Sequence, residues 1–479
     1  MNAAFELVVG LEVHCQLKTA SKIFCGCSTE FGRDPNSNTC PVCLGLPGSL
    51  PVLNEHAVRL ATRASLALQC TVHRTSVFAR KHYFYPDLPK GYQISQFDQP
   101  IATGGIITIP SSLGGMASIR ITRVHMEEDA GKSVHDRFRG FTAIDLNRTG
   151  TPLIEIVSEP DIRTAIDAGR YLRALKQILE FTEVSDANME EGSLRVDVNI
   201  SVRPAGSSEF GTKTEIKNLN TFSGVERAIE LEFARHCEVL SSGGRIVQQT
   251  MLWDGARNEI RAARVKEGSH DYRYFPDPDL PPLVLHEGFI EQQRAALPEL
   301  PQARRERFLA QYQLTVADAE QLTASIRLAD YFEELASSSG DARRAANWLL
   351  GAVTASLNAN GRVIDNYQLS ANQLGALIRL ETSGKVSNAA ARQLLPLLES
   401  SPSSDPEQLA AREGLLKVSD DQAILDWIEQ VMREHPEEAA RYIAGERRLQ
   451  GVLVGFVMKL SGGSADPRKV NQLLAERVE

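Results

Sequence analysis

Long apolar runs are missing from this chain. No stretch of its 479 residues approaches the run of about 18 apolar residues that a membrane span requires, so no membrane partner is expected. A secretory leader is missing too. Met1 to Leu17 has no basic start and no small-residue cleavage site, and Glu6, Glu12 and His14 break its apolar character, so it reads as mature sequence. Cysteine is scarce outside one region: of seven, five fall between Cys15 and Cys43, while Cys70 and Cys237 stand alone. That distribution suits metal binding in a reducing compartment better than a disulfide framework, and the expected location is cytoplasmic. Positive charge is in deficit, with 52 Lys and Arg against 61 Asp and Glu. The balance runs against a broadly basic nucleic-acid surface and leaves a local basic patch as the way to hold a large RNA.

The common nucleotide and nucleophile signatures are absent as well. Ala130–Ser133 looks like the end of a P-loop, but the glycine needed at position 126 is Met126. There is no dinucleotide-binding glycine fingerprint, no nucleophile elbow and no Ser-rich amidase motif.

What is present is an ordinary globular composition, 42% hydrophobic and 24% charged. The length exceeds what one core supports. To about residue 285 the chain reads as mixed α/β, with short strand-like runs and Gly and Pro turns. The Pro-rich segment Phe275–Pro282 marks a boundary. Beyond it Ala, Leu, Arg and Glu recur at helical spacing, with Arg343–Val353 clearly amphipathic. Ser400–Pro406 reads as a linker, followed by a helical tail in which helix-initiating residues recur, as at Ser419–Asp421. The expected division is 1–290, 291–405 and 406–479.

Several strands carry carboxylates in a regular pattern. Leu194, Val196, Val198, Ile200 and Val202 alternate with Arg195, Asp197, Asn199, Ser201 and Arg203, giving one apolar and one polar face on which Asp197 and Asn199 lie side by side. Likewise Glu12 and His14 oppose Val9, Leu11 and Val13. His125, Glu127 and Asp129 alternate with Val124, Met126 and Glu128. Wet sheet faces often carry acids with no further role. Glu155 differs, because it sits inside the apolar run Leu153–Val157, and a carboxylate there needs a partner such as a cation. Together these strands would make a platform for hard cations such as magnesium and for phosphoryl transfer.

Cys25–Gly26–Cys27 and Cys40–Pro41–Val42–Cys43 form two close pairs. Four thiolates at this spacing suit a tetrahedral, structural zinc site. Cys15 lies outside the spacing and reads as a plain strand residue.

These motifs, and others in order along nearly the whole chain, resemble the B-subunit family of the tRNA-dependent amidotransferases of bacteria and organelles. The matching runs are Val9–His14, Lys81–Asp87, Gly91–Asp98, His125–Lys132, Asp145–Asp161, Met189–Asp197, Lys266–Pro276 and Gly451–Lys459. The resemblance implies an α+β cradle domain with an antiparallel sheet, similar to the catalytic domain of glutamine synthetase, then an all-α domain and a small all-α tail that contacts tRNA. It implies phosphorylation by ATP of the side-chain carboxylate of misacylated glutamyl- or aspartyl-tRNA, followed by amidation. Ammonia would come from a separate amidase subunit, and a small third subunit would make the complex a heterotrimer.

Carried onto this sequence, the resemblance makes Glu12, His14, Glu127, Glu128, Glu155 and Asp197 the phosphoryl-transfer site. His14, Glu128 and Glu155 are then the magnesium ligands, Lys81, Tyr83 and Asn199 are the cofactor-binding candidates, and Lys81 and Tyr83 could also line the pocket or the ammonia channel. Cys25, Cys27, Cys40 and Cys43 match the zinc-bearing branch. In the tail, Arg441, Arg447, Arg448, Lys459, Arg468 and Lys469 are the phosphate-contact candidates, unless they simply form a solvated helical face. Two rivals stand beside this reading: a free-standing ligase for a small amino acid, and a non-catalytic zinc-bearing RNA-binding assembly subunit. The long helical half argues against the first and the acidic strands against the second.

Overall fold

The computed structural model describes residues 5–134, 140–263, 271–417 and 420–477. Ser419 and the Lys266–His270 part of the matched motifs lie outside them. Two compact units result, Met1–Pro301 and Gln302–Glu479.

The first unit is organised by one fourteen-stranded sheet. Nine of its strands form one continuous path: β1 (Phe5–Gln16), β2 (Thr75–His82), β3 (Tyr92–Gln99), β4 (Met116–Glu128), β5 (Pro152–Ser158), β6 (Leu194–Pro204), β7 (Thr214–Leu219), β8 (Thr250–Asp254) and β9 (Glu259–Ala262). They run in the order β9-β8-β7-β6-β1-β5-β4-β3-β2. β1 is central because its alternating Leu7, Val9, Leu11, Val13 and Cys15 form a fully apolar side. That side joins Ile154 and Ile156 of β5, Val124 and Met126 of β4, and Leu194 to Ile200 of β6 in one core.

Three helices cover the apolar face: α1 (Glu55–Ala67), α2 (Ala165–Phe181) and α3 (Phe222–Ser241). Each begins where a side chain satisfies free backbone donors: Asn54 accepts from His56 and Ala57, Thr164 from Asp167, and Thr221 from Gly224. The polar face of the central strands is left uncovered by these helices.

The sheet is mixed, not antiparallel throughout as the resemblance implied. β7 and β8 pair in parallel, because α3 connects them and a parallel pair needs a crossover of this kind. The first unit also reaches past residue 290. Leu285 and, in helix α4 (Glu287–Ala295), Ile290 belong to the sheet core, and Leu297 beyond the helix packs against it.

The second unit is helical and holds two separate cores, one spanning Phe308 to Ala410 and one spanning Ile424 to Leu474. The Ser400–Pro406 turn does not end the first of these. Asp405 caps the helix Pro406–Arg412, whose Leu409 and Ala410 are buried in the same core as Leu394 and Leu398. The amphipathic Arg343–Val353 segment is helical, but Leu349–Val353 winds more widely, and the Thr354 hydroxyl donates to the carbonyl of Leu349 five residues back (2.8 Å). No described helix is long and apolar enough to cross a membrane.

Candidate functional site

On the open face, strand register brings acids and histidines from three adjacent strands together. His14 of β1 stands opposite Glu155 of β5, and Glu155 opposite His125 of β4. His14 Nε2 lies 3.3 Å from Glu155 Oε2 and 3.6 Å from Glu127 Oε1. His125 Nε2 lies 3.5 Å from Glu155 and 3.8 Å from Glu127. Donor atoms of His14, Glu127 and Glu155 all fall within 4.8 Å of one another, a group able to hold a metal ion.

Glu127 and Glu155 are buried, so their negative charge demands local compensation. Burial pushes Glu155 up, yet the charges of His125 and His14, the His14 hydrogen bond and Arg123 hold it well below the usual carboxylate range. Burial likewise opposes the charge of His14, but the hydrogen bond to Glu155 and the charges of Glu155 and Glu127 push it up to about 9. The imidazole ring therefore holds a proton where a cation would be welcome.

A second group adjoins the first. Glu12 pairs in register with Asp197, and Asn199 donates to Glu12 (2.9 Å). Burial raises the Glu12 carboxyl, helped by the charges of Glu155 and Glu215. Lys217 Nζ bonds Asp197 (2.7 Å) and Glu215 (3.0 Å). Beside Glu12 and Asn199 opens a cavity of about 270 Å³, walled by Leu11, Val157, Phe210 and Lys213.

Glu128 does not join either group. Side chains alternate along β4, so Glu128 turns to the face opposite Glu127. There it is buried, ion-paired with Lys90, and accepts from the Ile94 amide (2.9 Å). The donor atoms brought together with those of His14 and Glu155 are those of Glu127, not of Glu128, and the period of the strand is sufficient to separate the two.

Lys81 and Tyr83 lie along an aromatic wall, where burial, with help from the charges of Glu127 and Glu128, pushes the Tyr83 phenol up. Lys81 Nζ is 4.9 Å from the centre of the Tyr272 ring and 6.0 Å from that of Tyr83. The Tyr83 hydroxyl donates to Gln93 (3.3 Å), whose amide donates to the carbonyl of Glu128 (2.7 Å). The wall continues through Tyr274, stacked on Phe97 at 4.8 Å, to Arg123 over the Phe97 ring.

Sequence reasoning assigns no role to Glu215, Lys217, Arg123 or Arg195. Glu215 and Lys217 sit two apart in the alternating run Thr214–Leu219, a signal equal to that of Asp197 and Asn199. Arg195 stands opposite His14 and reaches the buried Asp129 (2.9 Å), a partner visible only once β4 and β6 flank the same centre.

Cys25, Cys27, Cys40 and Cys43 converge, with their sulfur atoms within 4.8 Å of one another. Cys40 and Cys43 sulfurs are 3.9 Å apart, close to the roughly 3.8 Å that a tetrahedral ion at 2.3 Å from each sulfur requires. The Cys40 amide donates to Cys43 Sγ (3.2 Å). A hydrogen bond from Cys25 leads in holding the Cys43 thiol down at about 4, against burial and with help from the Cys40 backbone and the charge of Lys22. Cys15 stays apart in the sheet core, where burial pushes its thiol up to about 12.

Fold and site together define a protein with a carboxylate–histidine cluster suited to a cation on an open sheet face, and with a separate four-cysteine centre. The chain belongs to the GatB/GatE family: the GatB/GatE catalytic domain matches residues 7–291 and the GatB domain matches residues 330–478. It is 49% identical over 476 residues to the B subunit of the aspartyl/glutamyl-tRNA(Asn/Gln) amidotransferase of Prosthecochloris aestuarii, covering 99% of this chain and 98% of that one. It is 50% identical over 475 residues to the protein of the same name in Trichlorobacter lovleyi, covering 99% of each. With that of Chlorobaculum tepidum it shares 48% over 475 residues, again 99% of each.

Proposed function

We propose that this chain is the activating and amidating subunit of a glutamine-hydrolysing, tRNA-dependent ligase that forms a carbon–nitrogen bond. The observation that carries the reading is the His14–Glu127–Glu155 cluster beside Glu12, Asp197 and Asn199 on one open sheet face. The aminoacyl side chain offers a carboxylate, a poor electrophile because oxide is a poor leaving group. Its oxygen takes the γ-phosphoryl group of ATP and ADP departs. Ammonia then attacks the acyl carbon, phosphate leaves, and the amide results after loss of a proton.

His14, Glu127 and Glu155 are the residues that would hold magnesium. Bound there, it would supply charge neutralisation on phosphate oxygens. The protein's own part is positioning and electrostatics. Asn199 orients Glu12, and the Lys217 ion pair aims Asp197 along the face. The cavity beside Glu12 and Asn199 fits the nucleoside end of ATP, with apolar walls and Lys213 at its margin. Lys81 and Tyr83 are read as lining the approach of ammonia or of the aminoacyl end. The cradle is read as resembling the catalytic domain of glutamine synthetase, the cysteine centre as structural zinc, and the protein as cytoplasmic.

The two cores of the second unit are read as a helical domain and a tRNA-binding tail. Arg441 and Lys469 are engaged by Glu446 and Asp421, so phosphate contacts fall to Arg447, Arg448, Lys459 and Arg468. Binding through them would weaken with salt. In this reading the heterotrimer is completed by two further proteins, the glutamine-hydrolysing amidase and a small third subunit.

The test is ATP-derived phosphate release and amide formation by the assembled complex with misacylated tRNA, using ammonium as nitrogen donor. Ammonium bypasses the glutaminase and isolates the chemistry of this chain. Asp197→Ala and Glu127→Ala are expected to lose both activities. If both variants keep full activity, the chain is a non-catalytic RNA-binding assembly subunit instead.

A further inference from the structure

Lys22 is a fully buried lysine whose nearest charged partner is not a carboxylate. Its Nζ donates to the carbonyl of Asn38 (2.6 Å) and lies 3.6 Å from Cys43 Sγ. Among the described residues, no carboxylate lies within ion-pair distance of it. The acids nearby are already engaged: Glu128 by Lys90 and the Ile94 amide, Asp279 by Arg80. An ammonium taken out of water needs an anion, and the thiolates of the cysteine centre are what remains.

The same residue also ties the two cysteine pairs together. Its backbone amide donates to the carbonyl of Cys27 (3.0 Å), closing the turn that carries the first pair. Its side chain reaches Asn38 and Cys43, the approach to the second pair and its last member. Four thiolates around one divalent ion leave two net negative charges, and a buried cation at sulfur distance would offset half of that.

We propose that Lys22 is the charge-compensating cation of the four-cysteine centre and sets how tightly the centre holds a tetrahedrally coordinated divalent ion. The inference rests on the zinc reading given above. It makes Lys22 a positioning residue, acting through the thiolates and not as a ligand. Outer partners of this kind typically change metal affinity by roughly 10- to 100-fold.

The experiment measures zinc content and zinc affinity by competition with a chromophoric chelator, on the purified full chain. Wild type, Lys22→Met, Lys22→Arg and Cys43→Ser are compared. Lys22→Met is expected to bind zinc about 10- to 100-fold more weakly and release it faster, while Lys22→Arg stays close to wild type. Equal affinity in wild type and Lys22→Met overturns the inference and leaves the zinc reading intact. A wild type that takes up no zinc overturns both. Should Lys22→Met not fold, acetylation of lysines in the wild type decides the matter. Lys22 is expected to be protected with zinc bound and modified at least about tenfold faster after chelation, and unchanged labelling overturns the inference.

Discussion

Replacing Lys90 by methionine tests whether Glu128 is a structural acid or a catalytic one. The Lys90 and Glu128 side chains are 7% and 2% exposed, so their ion pair is shielded from water and salt. Removing the lysine leaves a buried carboxylate with the Ile94 amide as its one remaining donor among the contacts described. Breaking a buried pair from one side typically costs about 3–5 kcal/mol, because the surviving charge has no compensation. Glu128→Gln added to Lys90→Met removes that charge and keeps an acceptor for the Ile94 amide. The double variant should therefore recover about 2 kcal/mol or more of the loss, a coupling well outside ordinary additivity. Urea unfolding of the full chain, read by hydrogen exchange in the peptide 116–128, reports on the unit that contains the pair. Divalent-ion affinity measured on the same samples supplies the second readout. The reasoning is refuted if Lys90→Met costs less than about 1 kcal/mol while divalent-ion affinity falls with Glu128→Gln alone. Glu128 would then belong to the cation site after all.

Three further outcomes follow from the geometry. Glu155→Gln removes the carboxylate shared by His14 and His125, and should weaken manganese binding at the open face at least about tenfold by titration calorimetry; unchanged binding would exclude Glu155 as a ligand. Glu232 is buried between Arg235, His236 and Thr214; their hydrogen bonds and the Arg235 charge outweigh burial and hold its carboxyl at about 2. A depressed carboxyl contributes stability above its unfolded value near 4.5 and loses it as pH falls toward 2, at most about 3 kcal/mol here. Wild type should therefore exceed Glu232→Gln in urea midpoint at pH 7, with the gap narrowing below pH ~5; a constant gap would show that the charge is not responsible. Gly105 has φ +138°, and a Cβ there would stand 2.8 Å from the carbonyl oxygen of Leu68. Gly105→Ala should cost about 1–3 kcal/mol in the same unfolding assay without altering zinc content.

Much of the open face could be read from the chain. Period-two alternation places Glu12 with His14 and Asp197 with Asn199, and the charge inside Leu153–Val157 singles out Glu155. Strand order could not be read in this way. β1 is flanked by strands that begin near residues 152 and 194, and only that long-range pairing sets His14 against Glu155. The Lys217 partner of Asp197 likewise depends on the register of β6 with β7. Glu128 shows a different gap: a matched motif carries no statement of which face each residue takes, and here local alternation is the better guide. The parallel β7–β8 pair is obscured because the crossover depends on where α3 packs, a tertiary matter. The Pro406 helix falls on the wrong side of a turn because turn composition reports local chain direction, not which core the next apolar residues enter.

The open face also suggests how one site can be both stable and receptive. Glu12, Glu127, Glu155, Asp197 and Glu215 gather within a few strands, and such a group would repel itself if nothing offset it. The offsets are built from the chain: His14 and His125 against Glu127 and Glu155, Lys217 against Asp197 and Glu215. Arg195 bonds Asp129, and its charge also faces Glu127 and Asp197. On the proposed reading, a divalent ion arriving at His14 would exchange with a proton, because a histidine ligand must be neutral to coordinate. Exchange is less favourable than addition to a bare acidic cluster. Affinity for the free ion would then be modest, and binding would strengthen if phosphate oxygens arrived with it and completed the coordination.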